Sequence, residues 1–105
     1  MKFSREYTKL QDRLFTTIRN HCAYGEGQII PCETPLRVFK AKVLLKVPIR
    51  FRNIPLALLQ YDTDNPELSA EEIIDEIRGL YRSDPPDPND VVTIYLLERL
   101  PGARA

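Results

Sequence analysis

The stretch VFKAKVLLKVPIRFR, residues 38–52, decides the fold, because apolar and polar side chains alternate along it. Such a period of two is typical of a β-strand with one face toward a core. The pattern extends far beyond the ~5–6 residues of an average strand, so we expect the strand to bend or break at Pro48. Every second position is apolar, namely Phe39, Ala41, Val43, Leu45, Val47, Ile49 and Phe51. The other face is predicted to carry a row of five cations: Lys40, Lys42, Lys46, Arg50 and Arg52.

The length and composition predict a single globular domain over residues 1–105. The chain is 43% hydrophobic and 29% charged, which excludes a disordered polymer. It has no run near the ~20 apolar residues of a membrane span, and its first residues have no apolar segment typical of a signal peptide. We therefore expect a cytoplasmic protein with no membrane partner.

The formal net charge of zero conceals a division along the chain. Residues 1–54 carry eleven basic and four acidic side chains, a net charge of +7, and the remaining residues carry −7. The division has two interpretations: complementary halves within one domain, or a basic face that binds an anion such as RNA. Complementary halves could also meet across a homodimer, which makes a protein-interaction module an alternative.

The elements around the long strand predict an α+β fold with a small curved sheet or barrel. Spacing of Phe3, Tyr7, Leu10 and Leu14 predicts an amphipathic helix over residues 3–14, followed by a strand over 15–19. A short strand begins at Ile29. Ser69 and Glu72 form a capping-box pattern before a helix, and a buried strand begins at Val91.

His21, Cys22 and Cys32 are too few and too irregularly spaced to predict a metal site, so we expect neither a metal nor a cofactor. Free thiols are favoured in a reducing compartment, and a bridge across the loop stays open as an alternative.

Several of these segments together resemble the ASCH domains, small members of the PUA-like β-barrel superfamily. The resemblance consists of T-x-R at Thr17-Ile18-Arg19, a glycine-bearing loop before Gln28, the strand FKAKV, an acidic helix ending in GLY, and a closing strand before Glu98. The resemblance implies a small PUA-like barrel with two or three flanking helices. It also implies binding of RNA or a nucleotide-like molecule in a cleft beside the barrel.

Some small bacterial ASCH proteins hydrolyse N4-acylated cytidines, which gives an amidohydrolase as the alternative function. The resemblance implies a lysine three residues before the T-x-R threonine and a glutamate before the long helix. This chain has Leu14 at the first position, and Asp64 and Glu67 lie near the second without matching it. Thr17, Asp64 and Glu67 are thus the catalytic candidates, and the replacement by Leu14 favours a protein that is not an enzyme.

The predicted binding residues are Thr17, Arg19 and Tyr24, together with the cations Lys40, Lys42, Arg50 and Arg52. Arg19 could grip a phosphate through its guanidinium fork, and Tyr24 could stack on a base. The alternatives are also open: Arg19 could pair with an acid, Tyr24 could pack on the barrel, and the lysines could form a solvated sheet face.

Overall fold

The computed structural model describes residues 1–81 and 83–102, so Arg82 and residues 103–105 of the predicted domain lie outside it. Within these ranges the fold contains four strands, two α-helices and two short 3-10 helices. The strands are β1 (Leu14–Arg19), β2 (Ile29–Glu33), β3 (Val38–Arg50) and β4 (Val91–Arg99). The helices are α1 (Leu56–Thr63) and α2 (Ala70–Leu80), and the 3-10 helices are Thr8–Gln11 and Phe51–Asn53.

The four strands form one curled antiparallel sheet in the order β1-β4-β3-β2, which resembles half of a barrel. This confirms the predicted α+β class and the small curved sheet. The outer edge of β2 is covered by the start of the chain. Phe3 donates its backbone N–H to the carbonyl of Glu33, and Glu33 donates its own to the carbonyl of Met1.

A β-bulge at Leu44 interrupts the long strand β3. Val43 lies opposite Leu97 of β4, but Leu45 lies opposite the adjacent Leu96, so one residue of β3 has no counterpart. Because side chains alternate between faces, the extra residue moves every later side chain to the other face. The strand does not break at Pro48, since it continues to Arg50, and its register shift lies four residues earlier.

The bulge also shows that the predicted single row of five cations is wrong. Lys42 lies opposite Glu98 of β4, whereas Lys46 lies opposite Tyr95, on the other face of the sheet. The predicted apolar row is divided in the same way, because Val43 is completely buried while Leu45 is 49% exposed.

Each face of the sheet has its own hydrophobic core. Core 1 lies on the face that carries Phe15 and Val43, and it contains Phe3, Leu10, Phe15, Ile30, Cys32, Ala41, Val43, Tyr95 and Leu97. Core 2 lies on the opposite face, where the helices pack, and it contains Ile18, Phe51, Ile54, Leu59, Ile73, Ile74, Ile77, Val92 and Ile94. The two faces are therefore both partly covered, and β1 contributes side chains to each core.

The predicted helix over residues 3–14 is wrong, since only the 3-10 helix Thr8–Gln11 forms there. Phe3 and Leu10 are nevertheless buried, as their spacing indicated. Tertiary hydrogen bonds replace the helical ones, because Phe3 pairs with β2 and the backbone N–H of Thr8 donates to the carboxylate of Asp64.

The predicted second helix is confirmed together with its cap. The hydroxyl of Ser69 accepts from the backbone N–H of Glu72, and the carboxylate of Glu72 accepts from the backbone N–H of Ser69. The predicted strands at positions 15–19, 29 and 91 also form. None of the helices in the described part of the chain has the length and apolar character needed to cross a membrane.

Candidate functional site

A cleft of about 370 Å³ lies beside β1, between the N-terminal segment and the C-terminal ends of α1 and α2. Phe3 and Tyr7 line it from one side, and Ile77, Leu80 and Tyr81 line it from the other. Its polar side chains include Lys9, Thr17, Arg19 and Asp62. Apolar walls with a few convergent polar groups are characteristic of small-molecule sites.

Thr17 and Arg19 lie in this cleft and contact each other directly. Both point to the face of core 1, because alternate residues of a strand share a face. The Nε of Arg19 donates to the hydroxyl of Thr17 at 3.1 Å, and its guanidinium lies 4.8 Å from the centre of the Phe3 ring. The ring and the hydroxyl hold the guanidinium in one orientation, with its Nη atoms available to a ligand.

Arg19 has no acidic partner in the part of the chain that the structure describes. The ion pairs found there join Arg5 to Asp64, Lys9 to Asp62, Arg13 to Glu98 and Arg37 to Glu6. Because no neighbouring carboxylate among the described residues neutralises it, the positive charge of this half-buried guanidinium is available to bind an anion. The interpretation of Arg19 as one half of an internal ion pair thus has no support among residues 1–81 and 83–102.

The cleft also contains a buried ion pair that the sequence did not indicate. The Nζ of Lys9 donates to Oδ1 of Asp62 at 2.9 Å, and the hydroxyl of Thr16 donates to the same oxygen at 3.0 Å. Burial lowers the pKa of Lys9 from its ordinary value, and the nearby Asp62 opposes that shift. In the sequence Lys9 falls within the predicted helix over residues 3–14, and no local pattern connects it with Asp62, so neither residue signalled a site.

Tyr24, predicted to stack on a ligand, is not among the residues that line the cleft. It packs against core 1 in an aromatic group with His21 and Tyr95, and the ring centres of Tyr24 and Tyr95 are 5.8 Å apart. The imidazole of His21 is close enough to the cleft to be affected by the charge of Arg19. Partial burial lowers the pKa of its imidazole, and the positive charge of Arg19 contributes in the same direction.

The predicted binding cations do not converge on the cleft. Lys40 and Lys42 project from the face that carries Leu45, and Arg50 projects from the opposite face and donates to the carbonyl of Asn89. Arg52 is exposed in the second 3-10 helix. Lys46 donates to the carbonyl of Cys22. These cations therefore lie at separate positions on the molecule and do not form one continuous basic surface.

The predicted acidic candidates lie outside the cleft lining. Asp64 ends α1 in a left-handed conformation with a φ of 60°, and its carboxylate accepts from the backbone of Thr8. Glu67 is exposed on the loop before α2. Among the residues that the structure describes, the carboxylate that lines the cleft is Asp62, which lies two residues before Asp64.

Both cysteines are free thiols, with Cys22 exposed and Cys32 buried. Within residues 1–81 and 83–102, no three His, Cys, Asp or Glu side chains are grouped closely enough to hold a metal ion. The polar and aromatic lining of the cleft is defined by Arg19, the Lys9–Asp62 pair, Phe3, Tyr7 and Tyr81. No protein-family model, curated protein or solved structure matches the chain at a significant level.

Proposed function

We propose that the protein binds a small nucleotide-like ligand in the cleft beside β1. The observation that carries the proposal is Arg19, a guanidinium held by Phe3 and Thr17 in a mainly apolar cleft, without an acidic partner among the described residues. A guanidinium fork matches two oxygens of a phosphate, and apolar and aromatic walls suit the faces of a base. The resemblance to ASCH domains of the PUA-like superfamily supports the same proposal.

The arrangement of the cations favours a small ligand over a long RNA. Polymeric RNA is held by a continuous series of phosphate contacts. Here the bulge at Leu44 separates Lys42 from Lys46 and Arg50, so a strand of RNA would meet positive charge on two different faces. The cleft volume of about 370 Å³ lies in the range of ligand pockets, roughly 300–1,000 Å³.

Isothermal titration calorimetry with uridine 5′-monophosphate (UMP) tests the proposal. We expect Arg19→Gln to weaken binding by about 2 kcal/mol, or about thirtyfold, because a charge-assisted fork to the phosphate is lost. Arg52→Gln is the matched control, since it removes the same charge from an exposed position that does not line the cleft. The proposal is wrong if the unmodified protein does not bind UMP, or if both variants bind it equally well.

The buried pair supports a second candidate, an amidohydrolase that acts on an N4-acylated cytidine. A lysine, two threonines and a carboxylate lie in or beside the cleft, and the lysine comes from position 9 instead of position 14. Burial lowers the pKa of Lys9, and a hydrolase would need the neutral amine of Lys9 to accept a proton from a water molecule. That water would attack the acyl carbon, and the C–N bond to the base would break with proton transfer to N4.

Release of acetate from N4-acetylcytidine tests this second function. We expect a true hydrolase to lose turnover in Lys9→Met and in Thr17→Val, while Leu14→Ala retains it. Circular dichroism checks whether each variant is folded, because Lys9→Met also removes one half of the buried pair. Absence of acetate release from the unmodified protein would exclude the hydrolase and leave the binding proposal in place.

A further inference from the structure

The outer edge of β1 is a free strand edge at the cleft. Among the described residues only β4 pairs with β1, so alternate residues of β1 direct their backbone N–H and C=O away from the sheet. Of the strand residues that line the cleft, Ile18 is the central one, and only 7% of its surface is exposed. If the backbone N–H and C=O of Ile18 point to the free edge and not to β4, a ligand in the cleft can form hydrogen bonds with them.

Three hydrogen bonds fix that direction. The backbone N–H of Arg99 donates to the carbonyl of Arg13, so odd-numbered residues of this segment face β4. The carbonyl of Leu14 accepts from the hydroxyl of Tyr61, and the N–H of Asn20 donates to the hydroxyl of Tyr81, so even-numbered residues face away. Ile18 lies between these even positions, and its N–H and C=O therefore point to the free edge.

No hydrogen-bond partner for the N–H or C=O of Ile18 occurs among the residues that the structure describes. Ile18 is 7% exposed as a whole residue, and the backbone groups of buried residues are nearly always paired in folded proteins. A donor and an acceptor on one extended residue point the same way, side by side, as they do toward a neighbouring strand. The free edge at Ile18 is thus a fixed donor–acceptor pair beside Arg19.

We infer that the backbone N–H and C=O of Ile18 bind the hydrogen-bonding edge of the ligand's base, and that the ligand is a nucleotide whose base has an acceptor next to an N–H donor. The inference rests on the proposed function, since it assigns the base to β1 while Arg19 binds the phosphate. In this arrangement the main chain of β1 determines which base is bound, and the side chains form the walls of the cleft.

Uracil is a suitable probe because its N3–H lies between two carbonyl oxygens. It can pair with Ile18 in either orientation, so its direction in the cleft need not be known. A methyl group at N3 removes the donor and blocks this edge. A methyl group at C5 adds the same volume on the far side of the ring, which makes 5-methyl-UMP the matched control for 3-methyl-UMP.

Calorimetric titration of the full chain with UMP, 5-methyl-UMP, 3-methyl-UMP and ribose 5-phosphate tests the inference. We expect UMP and 5-methyl-UMP to bind within about threefold of each other. We expect 3-methyl-UMP and ribose 5-phosphate to bind at least about tenfold more weakly, because the backbone donor and acceptor of Ile18 then stay unpaired. In ¹⁵N–¹H spectra, the Ile18 amide proton should move downfield with UMP and not with ribose 5-phosphate.

The possible outcomes separate the two proposals. If ribose 5-phosphate or 3-methyl-UMP binds as tightly as UMP, the base edge is not recognised by Ile18, and the inference is wrong while the anion site at Arg19 stands. The same conclusion follows if the Ile18 amide signal does not respond to UMP. If none of the four compounds binds, the proposed function itself fails and the inference falls with it.

Discussion

The ammonium group of Lys9 lies 2.9 Å from Oδ1 of Asp62, and the two side chains are only 2% and 7% exposed. This pair joins the N-terminal segment to the end of α1, at one end of the cleft. Arg5 extends the same connection by donating to the carbonyl of Thr63. The wall of the cleft that Phe3 and Tyr7 form is therefore held in place by charges that are removed from water.

Breaking this pair should destabilise the fold strongly. Lys9→Met leaves the buried carboxylate of Asp62 without its counterion, and we expect a loss of about 3–5 kcal/mol in the free energy of unfolding. The double change Lys9→Met/Asp62→Leu should lose less than the two single changes added together, because it leaves no unpaired charge. Urea unfolding of the four proteins measures this coupling.

Arg13 provides the control for that experiment. Its ion pair with Glu98 is on the surface, where the arginine side chain is 80% exposed, so Arg13→Met should cost less than about 1 kcal/mol. Equal losses for Lys9→Met and Arg13→Met would contradict the burial of the Lys9–Asp62 pair.

The bulge at Leu44 predicts stability losses for substitutions in β3 that differ from those expected for a regular strand. Val43 is completely buried and Leu45 is 49% exposed, although strict alternation would place both in one core. Val43→Asp should therefore cost several kcal/mol, because it buries an unpaired charge, and Leu45→Asp should cost about 1 kcal/mol or less. Thermal or urea unfolding compares the two directly. Equal losses would mean that the strand is regular and that no bulge is present.

The strands were predictable because their signals are local. Alternation over residues 38–52, the apolar run from Val91 and the capping box at Ser69 each depend on neighbouring residues, and each element forms. The bulge at Leu44 was not predictable, since its cause is the register with β4, about fifty residues away in sequence. One inserted residue then moved Lys46 and Arg50 to the other face.

The site was predictable only in part, for a related reason. Thr17 and Arg19 share a strand face, and the sequence brought them together correctly. Lys9 and Asp62 are joined by tertiary structure alone, and the N-terminal segment is extended because its backbone covers the edge of β2. The periodic patterns that predict helices and strands do not indicate such contacts between distant segments.

The capping box at the start of α2 should contribute measurably to stability. Ser69→Ala removes the hydroxyl that accepts from the backbone N–H of Glu72, and we expect a loss of about 1 kcal/mol in the free energy of unfolding. Ser83→Ala is the matched control, since Ser83 is an exposed serine in the loop after the helix. Chemical denaturation measures both variants, and indistinguishable midpoints would show that the cap is not formed in solution.

His21 should report the charge of the cleft, because it is the only histidine of the chain and its imidazole signals need no assignment. Partial burial, then Arg19, then the N-terminal ammonium lower its pKa below 6.5. Since the unfolded state binds the proton more readily, stability should fall as the pH falls from 6.5 through the lower pKa of the folded state. A proton NMR titration of the imidazole measures that pKa. Arg19→Gln should raise it by removing a positive charge, and Arg52→Gln should leave it unchanged.

The same titration reports occupancy of the cleft. A phosphate bound to Arg19 offsets the positive charge that disfavours the imidazolium, so saturating UMP should raise the pKa of His21 in the unmodified protein. In Arg19→Gln, UMP at the same concentration should cause little change. A pKa of His21 at or above 6.5 in the free protein would contradict the placement of the imidazole near Arg19. A rise with UMP that persists in Arg19→Gln would locate the bound phosphate away from this arginine.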